Sequence, residues 1–314
     1  TFAPPTAQLH AQLADATDAL GRQQAVELLA KRKDKTTVEK LTHVLRNDSF
    51  YGVRIAASRA LRGIATDAAY EALAGSTDQP NAKVRSQVVS DIASQPKPGA
   101  LPHLKRILDS EKNPAIRAQI VSRLASHEDR QANRLINQAL GQASFRNQIA
   151  DAAISALRKQ DKPGNITKIR AALENNKAKF TTRGYANALR AVAFLGRNHR
   201  NKTELREFFA GHIHNPKRRV ALAAIESLGQ LGDPRAIAAL EKFTANAEGD
   251  PYRRAAEQAI EKIRAARKPA DDYKNLRKEV ADLKQSNSKL TKELTDLKKR
   301  FDAALKTSQP AEKK

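Results

Sequence analysis

Residues 48–61 read DSFYGVRIAASRAL, and residues 78–92 read DQPNAKVRSQVVSDI. Each phrase sets an acidic turn before an apolar-Arg pair, Val53-Arg54 in one and Val84-Arg85 in the other, and then runs on with apolar residues at helical spacing. The pattern returns where Asn113-Pro114 precedes Ile116-Arg117 and where Asp250-Pro251 precedes Tyr252-Arg253. Aligned on the apolar residue that closes each run, the phrases fall at Leu29, Leu61, Ile92, Leu124, Leu157, Val192, Leu228 and Ile260, a step of about 31 to 36 residues. A helix pair of that length cannot bury its apolar stripe alone, so neighbouring units must stack. The period therefore predicts an all-α superhelix, a right-handed solenoid of seven or eight helical pairs.

Partner helices are expected between those phrases, at 36–45, 67–74, 100–108, 130–140, 166–173, 203–213 and 235–243. Glycine and proline fall mostly at the joints, as at Gly63, Pro80, Pro98, Pro163, Gly196, Pro216, Gly232 and Pro251, where helices start and stop. Aromatic content is 4% with no tryptophan, which suits thin cores of Ala, Leu, Ile and Val between close helices. Residues 145–215 keep the pattern least well.

Neither the T-P-L-H phrase of ankyrin units nor the W…LG…Y pattern of tetratricopeptide units occurs. The acidic or Asn/Pro turn, the apolar-Arg pair and the alanines that follow resemble the HEAT repeat, in the short form found also in phycobilisome lyases. The resemblance implies a ladder in which helix-start arginines bridge to the turn of an adjacent unit. Arg22, Arg54, Arg85, Arg117 and Arg253 are its expected donors, with Asp48 and Asp78 among the acceptors. Arginine suits this work because its stem packs on apolar surface while its planar fork meets carboxylates and carbonyls.

Past Lys268-Pro269 a heptad begins, with Tyr273, Val280, Asn287, Leu294 and Phe301 at a, and Leu276, Leu283, Leu290, Leu297 and Ala304 at d. Paired in parallel, two copies would oppose Asp272 with Arg277, Glu279 with Lys284 and Glu293 with Lys298, all attractive. A lone Asn287 at a core position fixes register in a two-stranded coil. The expected organisation is a HEAT-type solenoid over 1–267, a linker over 268–271, a coiled coil over 272–306 and a disordered tail over 307–314. The expected dimer contacts are Leu276, Val280, Leu283, Asn287, Leu290, Leu294 and Leu297.

Chemistry-bearing motifs are missing: there is no H-E-x-x-H, G-x-S-x-G, G-x-x-x-x-G-K-[ST] or G-x-G-x-x-G, and no cysteine. The lone His127-Glu128 lacks the repeated His-Glu couples of HEAT-type di-iron hydroxylases, and without tryptophan a HEAT-like DNA glycosylase is disfavoured. No catalytic residue, metal ligand or cofactor is expected. No run of 18 apolar residues spans a membrane, and the compartment stays open. The formal net charge of +23 attracts polyanions. Arg197, Arg200, Lys217, Arg218 and Arg219 are candidate anion contacts, with nucleic acid or an acidic protein as the alternative partner.

The runs LRNDSFYGVRIAASRAL, PKRRVALAAIESLGQLGDPRAIAALEKF and LRKEVADLKQSNSKLTKELTDLKKRF are similar to the C-terminal region of bacterial zinc aminopeptidases of the aminopeptidase N type. That resemblance implies a non-catalytic helical domain, from a longer chain whose H-E-x-x-H module lies upstream. None of the family's zinc ligands or catalytic glutamates has a counterpart here. The expected function is a scaffold or accessory domain that dimerises through its zipper and binds a protein partner or its own catalytic module.

Overall fold

The computed structural model describes residues 4–15, 17–95, 99–127, 129–266 and 270–307, and within the last helix the side chains of 280–298. Among them there is no strand. Eight helix pairs follow one another: α1 (Thr6–Asp15) with α2 (Ala19–Leu29), α3 (Lys35–Asn47) with α4 (Tyr51–Ile64), α5 (Asp67–Ala74) with α6 (Ala82–Ala93), and α7 (Ala100–Ser110) with α8 (Pro114–Leu124). Then come α9 (Arg130–Gly141) with α10 (Gln148–Lys159), α11 (Asn165–Asn175) with α12 (Thr182–Gly196), α13 (Thr203–Ala210) with α14 (Arg218–Leu231), and α15 (Ile237–Thr244) with α16 (Pro251–Ala266). A single long helix, α17 (Ala270–Thr307), closes the chain.

The joints carry side chains that start helices. Asp34, Thr66, Asn81, Asn113, Asp129 and Thr181 each accept a hydrogen bond from a backbone N–H of the first turn. Those N–H groups have no partner inside the helix, so each cap contributes about 1 kcal/mol. Pro114 takes the first position of α8, where its missing N–H costs nothing.

The second helices form one continuous layer, α2 on α4, α4 on α6, and so on to α14 on α16, with the first helices packed outside it. The eight closing residues of the sequence period, Leu29 through Ile260, all lie buried between these layers. Alanines such as Ala57, Ala153, Ala188 and Ala224 are buried too and let the helices approach closely. The tightest approach to a neighbouring backbone is at Gly229, where an added Cβ would stand 2.7 Å from the Cα of Ala259 on α16.

Partner helices lie near their expected spans, with three differences. α1 was not foreseen, because no apolar-Arg phrase marks it. The helix expected over 203–213 ends at Ala210, and the one expected from Arg235 opens as a 3-10 turn, Pro234–Ala236, before α15. α17 begins at Ala270, inside the segment assigned to the linker; 267–269 and 308–314 lie outside the described residues. The weak middle of the pattern has a physical counterpart. Arg146, Asn147 and Asp161 have φ of 53°, 57° and 50°, left-handed backbone that L-residues adopt at a cost.

Candidate functional site

Between successive second helices runs a ladder with a fixed register. The Arg22 fork donates to Asp48 at 2.7 and 3.1 Å, Arg54 to the side-chain Oε1 of Gln79 at 3.4 Å, Arg85 to Glu111 at 2.8 and 3.4 Å, and Arg117 to Gln142 at 3.1 Å. Donor and acceptor are 26, 25, 26 and 25 residues apart. Asp48 and Glu111 have side chains only 6% and 4% exposed, so these rungs are largely shielded from solvent. Burial pushes the Glu111 carboxyl up, but the Arg85 bond and the Asn113 N–H outweigh it and hold it below the usual range.

Two expected members do not take the places assigned to them. Asp78 is not the acceptor; its neighbour Gln79 is, and Arg85 reaches on to Glu111. The ladder needs an acceptor oxygen at a fixed position, and an amide supplies one as a carboxylate does. Arg253 turns to Glu257 on its own helix at 2.8 Å and to the Asn246 carbonyl at 3.2 Å; among the described residues the next element is the single helix α17.

The ladder arginine stands seven residues before each closing apolar residue, and at that position α10, α12 and α14 carry Ala150, Tyr185 and Ala221. Tyr185 forms a different rung. His212 donates from Nδ1 to the Phe208 carbonyl at 2.7 Å, which leaves Nε2 to accept the Tyr185 hydroxyl at 2.8 Å, 27 residues away. In α12 and α14 an arginine instead stands two residues earlier, as Arg183 and Arg219. Two residues turn a helix by about 200°, so these side chains leave the joint and are exposed.

There they meet a groove along the open face of the second layer. Arg183, Asn187, Arg190 and Phe194 follow one another at i, i+4, i+7 and i+11 down α12. A hollow of about 520 Å³ separates that stripe from Arg218, Arg219, Leu222 and Glu226 on α14. A second hollow of about 590 Å³ continues from Asn187 and Arg190 to Arg158 and Lys159 on α10, with buried Ile154 and Ala191 in its floor. Arg190 is held by Glu226 at 2.7 Å. Among the described residues no ion pair engages Arg158, Arg183, Arg218 or Arg219. Phe194 lies between guanidinium groups, Arg197 at 3.9 Å and Arg158 at 4.8 Å from its ring centre.

The five arginines and lysines expected as candidate anion contacts lie in different places. Arg218 and Arg219 line the groove, but Lys217 lines a small hollow with Phe180 and Tyr185. Arg197 grips Asp161 through both nitrogens at 2.7 and 2.6 Å and holds that carboxyl below its usual range. Arg200 is exposed in the turn after α12. Arg183, isolated in the sequence, and Arg158 and Arg190 were not foreseen.

Two acidic groups on the second layer sit under strain. Asp91 is fully buried and pushed up by desolvation, against bonds from Ser58 at 2.6 Å and Gln87 at 3.0 Å and the field of Arg62. Asp151 on α10 is pushed up to about 6 by desolvation. One of its oxygens is buried without a hydrogen-bond partner, and an added Cβ at Gly184 would touch it.

On α17 every side chain from 280 to 298 is exposed. Val280, Leu283, Leu290, Leu294 and Leu297 are 45 to 70% exposed, and Leu276 lies outside the described side chains. Among the described residues no group of three His, Asp or Glu could hold a metal, and no helix is long and apolar enough to cross a membrane. His212 and His214 serve separate neighbours, Tyr185 and Phe243.

A family model described as HEAT repeats matches residues 6–93 and 183–261, just over half of the chain. Of the left-handed non-glycine residues among those described, Arg146, Asn147 and Asp161 lie in the interval between the two matches and Ala65 lies within the first, at the end of α4. No match to a curated protein was found. Among solved structures, a mutant of Kap121p aligns over 82% of this chain and 32% of its own, at 13% identity and a TM-score of 0.57. The karyopherin Kap121p bound to the SUMO protease Ulp1p aligns over the same shares at 14% identity and a TM-score of 0.54. The chain thus spans about a third of that karyopherin, and at such identities the likeness is one of fold. Human deoxyhypusine hydroxylase in complex with glycerol aligns over 83% of this chain and 96% of its own at 16% identity, with a TM-score of 0.35 that carries no argument.

Proposed function

The chain belongs to the HEAT-repeat family, and from that premise we propose that it works as a scaffold, which joins a second copy of itself through α17 and offers its second helix layer to a protein partner. The observation that carries the pairing is the water-exposed apolar stripe of α17. Val280, Leu283, Leu290, Leu294 and Leu297 all face solvent, an arrangement that leaves a large apolar patch to be covered. A second copy fits as the cover because the flanking charges are complementary in parallel register, Glu279 with Lys284 and Glu293 with Lys298. Asn287 then faces its own counterpart in the core of the pair.

The partner-binding half of the reading is supported by the solenoid itself, whose second layer is continuous over eight pairs. Kap121p, with which the fold is shared, was solved with Ulp1p bound. The narrower expectation of an aminopeptidase module upstream rests on the quoted phrases alone, and none of the comparisons supports it.

Sedimentation equilibrium of the whole chain tests the pairing. The expected result is twice the chain mass, falling to one chain mass for Asn287→Pro, which breaks the helix at a cost of about 3 kcal/mol. For Leu283→Asp/Leu290→Asp, which keeps the helix, the same fall is expected. A wild-type chain that sediments as a monomer at tens of micromolar, or a variant that stays paired, rejects the zipper.

A further inference from the structure

We propose that the groove bounded by α10, α12 and α14 holds an extended acidic polypeptide segment in which carboxylates alternate with apolar side chains. This deepens the scaffold reading, on which it rests for the idea that the second layer takes a protein, by naming the chemistry of that partner.

The groove's two carboxylates are already taken, Glu226 by Arg190 and Asp161 by Arg197, and its remaining arginines have no ion-pair partner among the described residues. Arg183, Arg218 and Arg219 stand exposed on the two sides of one hollow with no carboxylate within ion-pair distance among the described residues, and the nearby field of Arg218 is felt by Asp250. Arg158 extends the row past α12. In the first four units the joint arginines are consumed by Asp48, Gln79, Glu111 and Gln142, whereas Arg183 and Arg219 stand about half a turn away from the joint. Planar guanidinium forks match carboxylates two bonds at a time, which favours an acidic side chain over a diffuse negative field.

The floor selects further. Ile154, Ala191 and half-buried Leu222 lie between the arginines, so a ligand that is only charged would leave apolar surface wet. A nucleic-acid strand fits less well. Its bases would need open aromatic faces, and Phe194 is already covered by Arg158 and Arg197 while Phe208 lies under Arg170 at 4.9 Å. Glu226 and Asp161 at the groove edges would also stand against a continuous phosphate backbone.

Fluorescence anisotropy on the whole chain tests this with a fluorescein-labelled peptide of alternating glutamate and leucine. Arg183→Glu/Arg219→Glu should weaken binding by about tenfold or more. Lys31→Glu/Lys33→Glu makes the same change in net charge on a distant turn and should weaken it by less than about threefold. Equal losses in the two variants would mean that the peptide senses only the overall charge, and the groove would be rejected. An all-glutamate peptide that binds as tightly would reject the apolar floor. Single-stranded DNA bound more tightly, with the same dependence on Arg183 and Arg219, would replace the polypeptide by nucleic acid. Should the charge reversal unfold the chain, as seen by circular dichroism, Arg183→Gln/Arg219→Gln asks the same question. Sedimentation of the wild-type chain separates the two readings: no peptide binding at dimer mass rejects only the groove, and peptide binding at monomer mass rejects only the zipper.

Discussion

The first four helix pairs and the last four use the same architecture and hold it together differently. From α2 to α10 each joint is bridged by a buried or half-buried arginine at a constant register of 25 or 26 residues. At that position α10, α12 and α14 hold alanine or tyrosine and α16 an arginine, Arg253, that turns to its own helix; the bridge at Tyr185 is a tyrosine-histidine bond, and Arg183 and Arg219 stand on the open face. The difference teaches that one residue type does two jobs set by its phase on the helix. Inside the joint an arginine is structural and spent, and about half a turn away it is free for a ligand.

The largest expected effect lies in the first region. Arg85→Ala strands Glu111, whose side chain is 4% exposed, and should cost about 2–3 kcal/mol of stability at neutral pH by chemical denaturation. Because Glu111 is held below its ordinary range, its contribution is present at neutral pH and fades as pH falls through the folded value; the gap between wild type and variant should narrow in acid. A gap that is unchanged or wider at low pH would remove the ionic account of that rung.

The second region should respond to acid with the opposite sign. Asp151, pushed from 3.8 to about 6, favours the folded state while protonated, and that advantage is lost as pH rises through about 6. Asp151→Asn should therefore stabilise the chain above pH 7 by about 1–2 kcal/mol, less than the full shift because the carboxyl is only partly buried, and should make little difference near pH 4. An Asn variant less stable at pH 7.5 would mean that the carboxylate has a partner that the geometry does not show.

The smallest effect belongs to the substitute rung. Tyr185→Phe removes one neutral hydrogen bond and keeps the ring against Phe180, so about 1 kcal/mol is expected, read from the denaturation midpoint. If it costs as much as Arg85→Ala, the two regions are bound together equally and the comparison fails.

Much of this was legible before any coordinates. The period placed all eight closing residues, because burial demands an apolar side chain at a fixed interval and leaves that demand in the sequence. Four of the five expected ladder donors were legible because arginine has few equals for the task, whereas of the acceptors only Asp48 was: Asp48, Gln79, Glu111 and Gln142 share a lone pair and a position, not a residue type. The groove was half legible. Arg218 and Arg219 stand out as neighbours, but Arg183 joins them only across a helix-helix joint about one repeat away, and no local pattern records that meeting. α1 left no mark because it carries no apolar-Arg phrase.

The contact at Gly229 bears on how this molecule yields under load. Where side chains hold two helices apart they act as soft spacers, and the helices slide by rotamer adjustment; where main chain rests on main chain, as Gly229 rests on Ala259, there is no such cushion. The α14–α16 joint therefore has less room for rotamer adjustment than joints spaced by longer side chains.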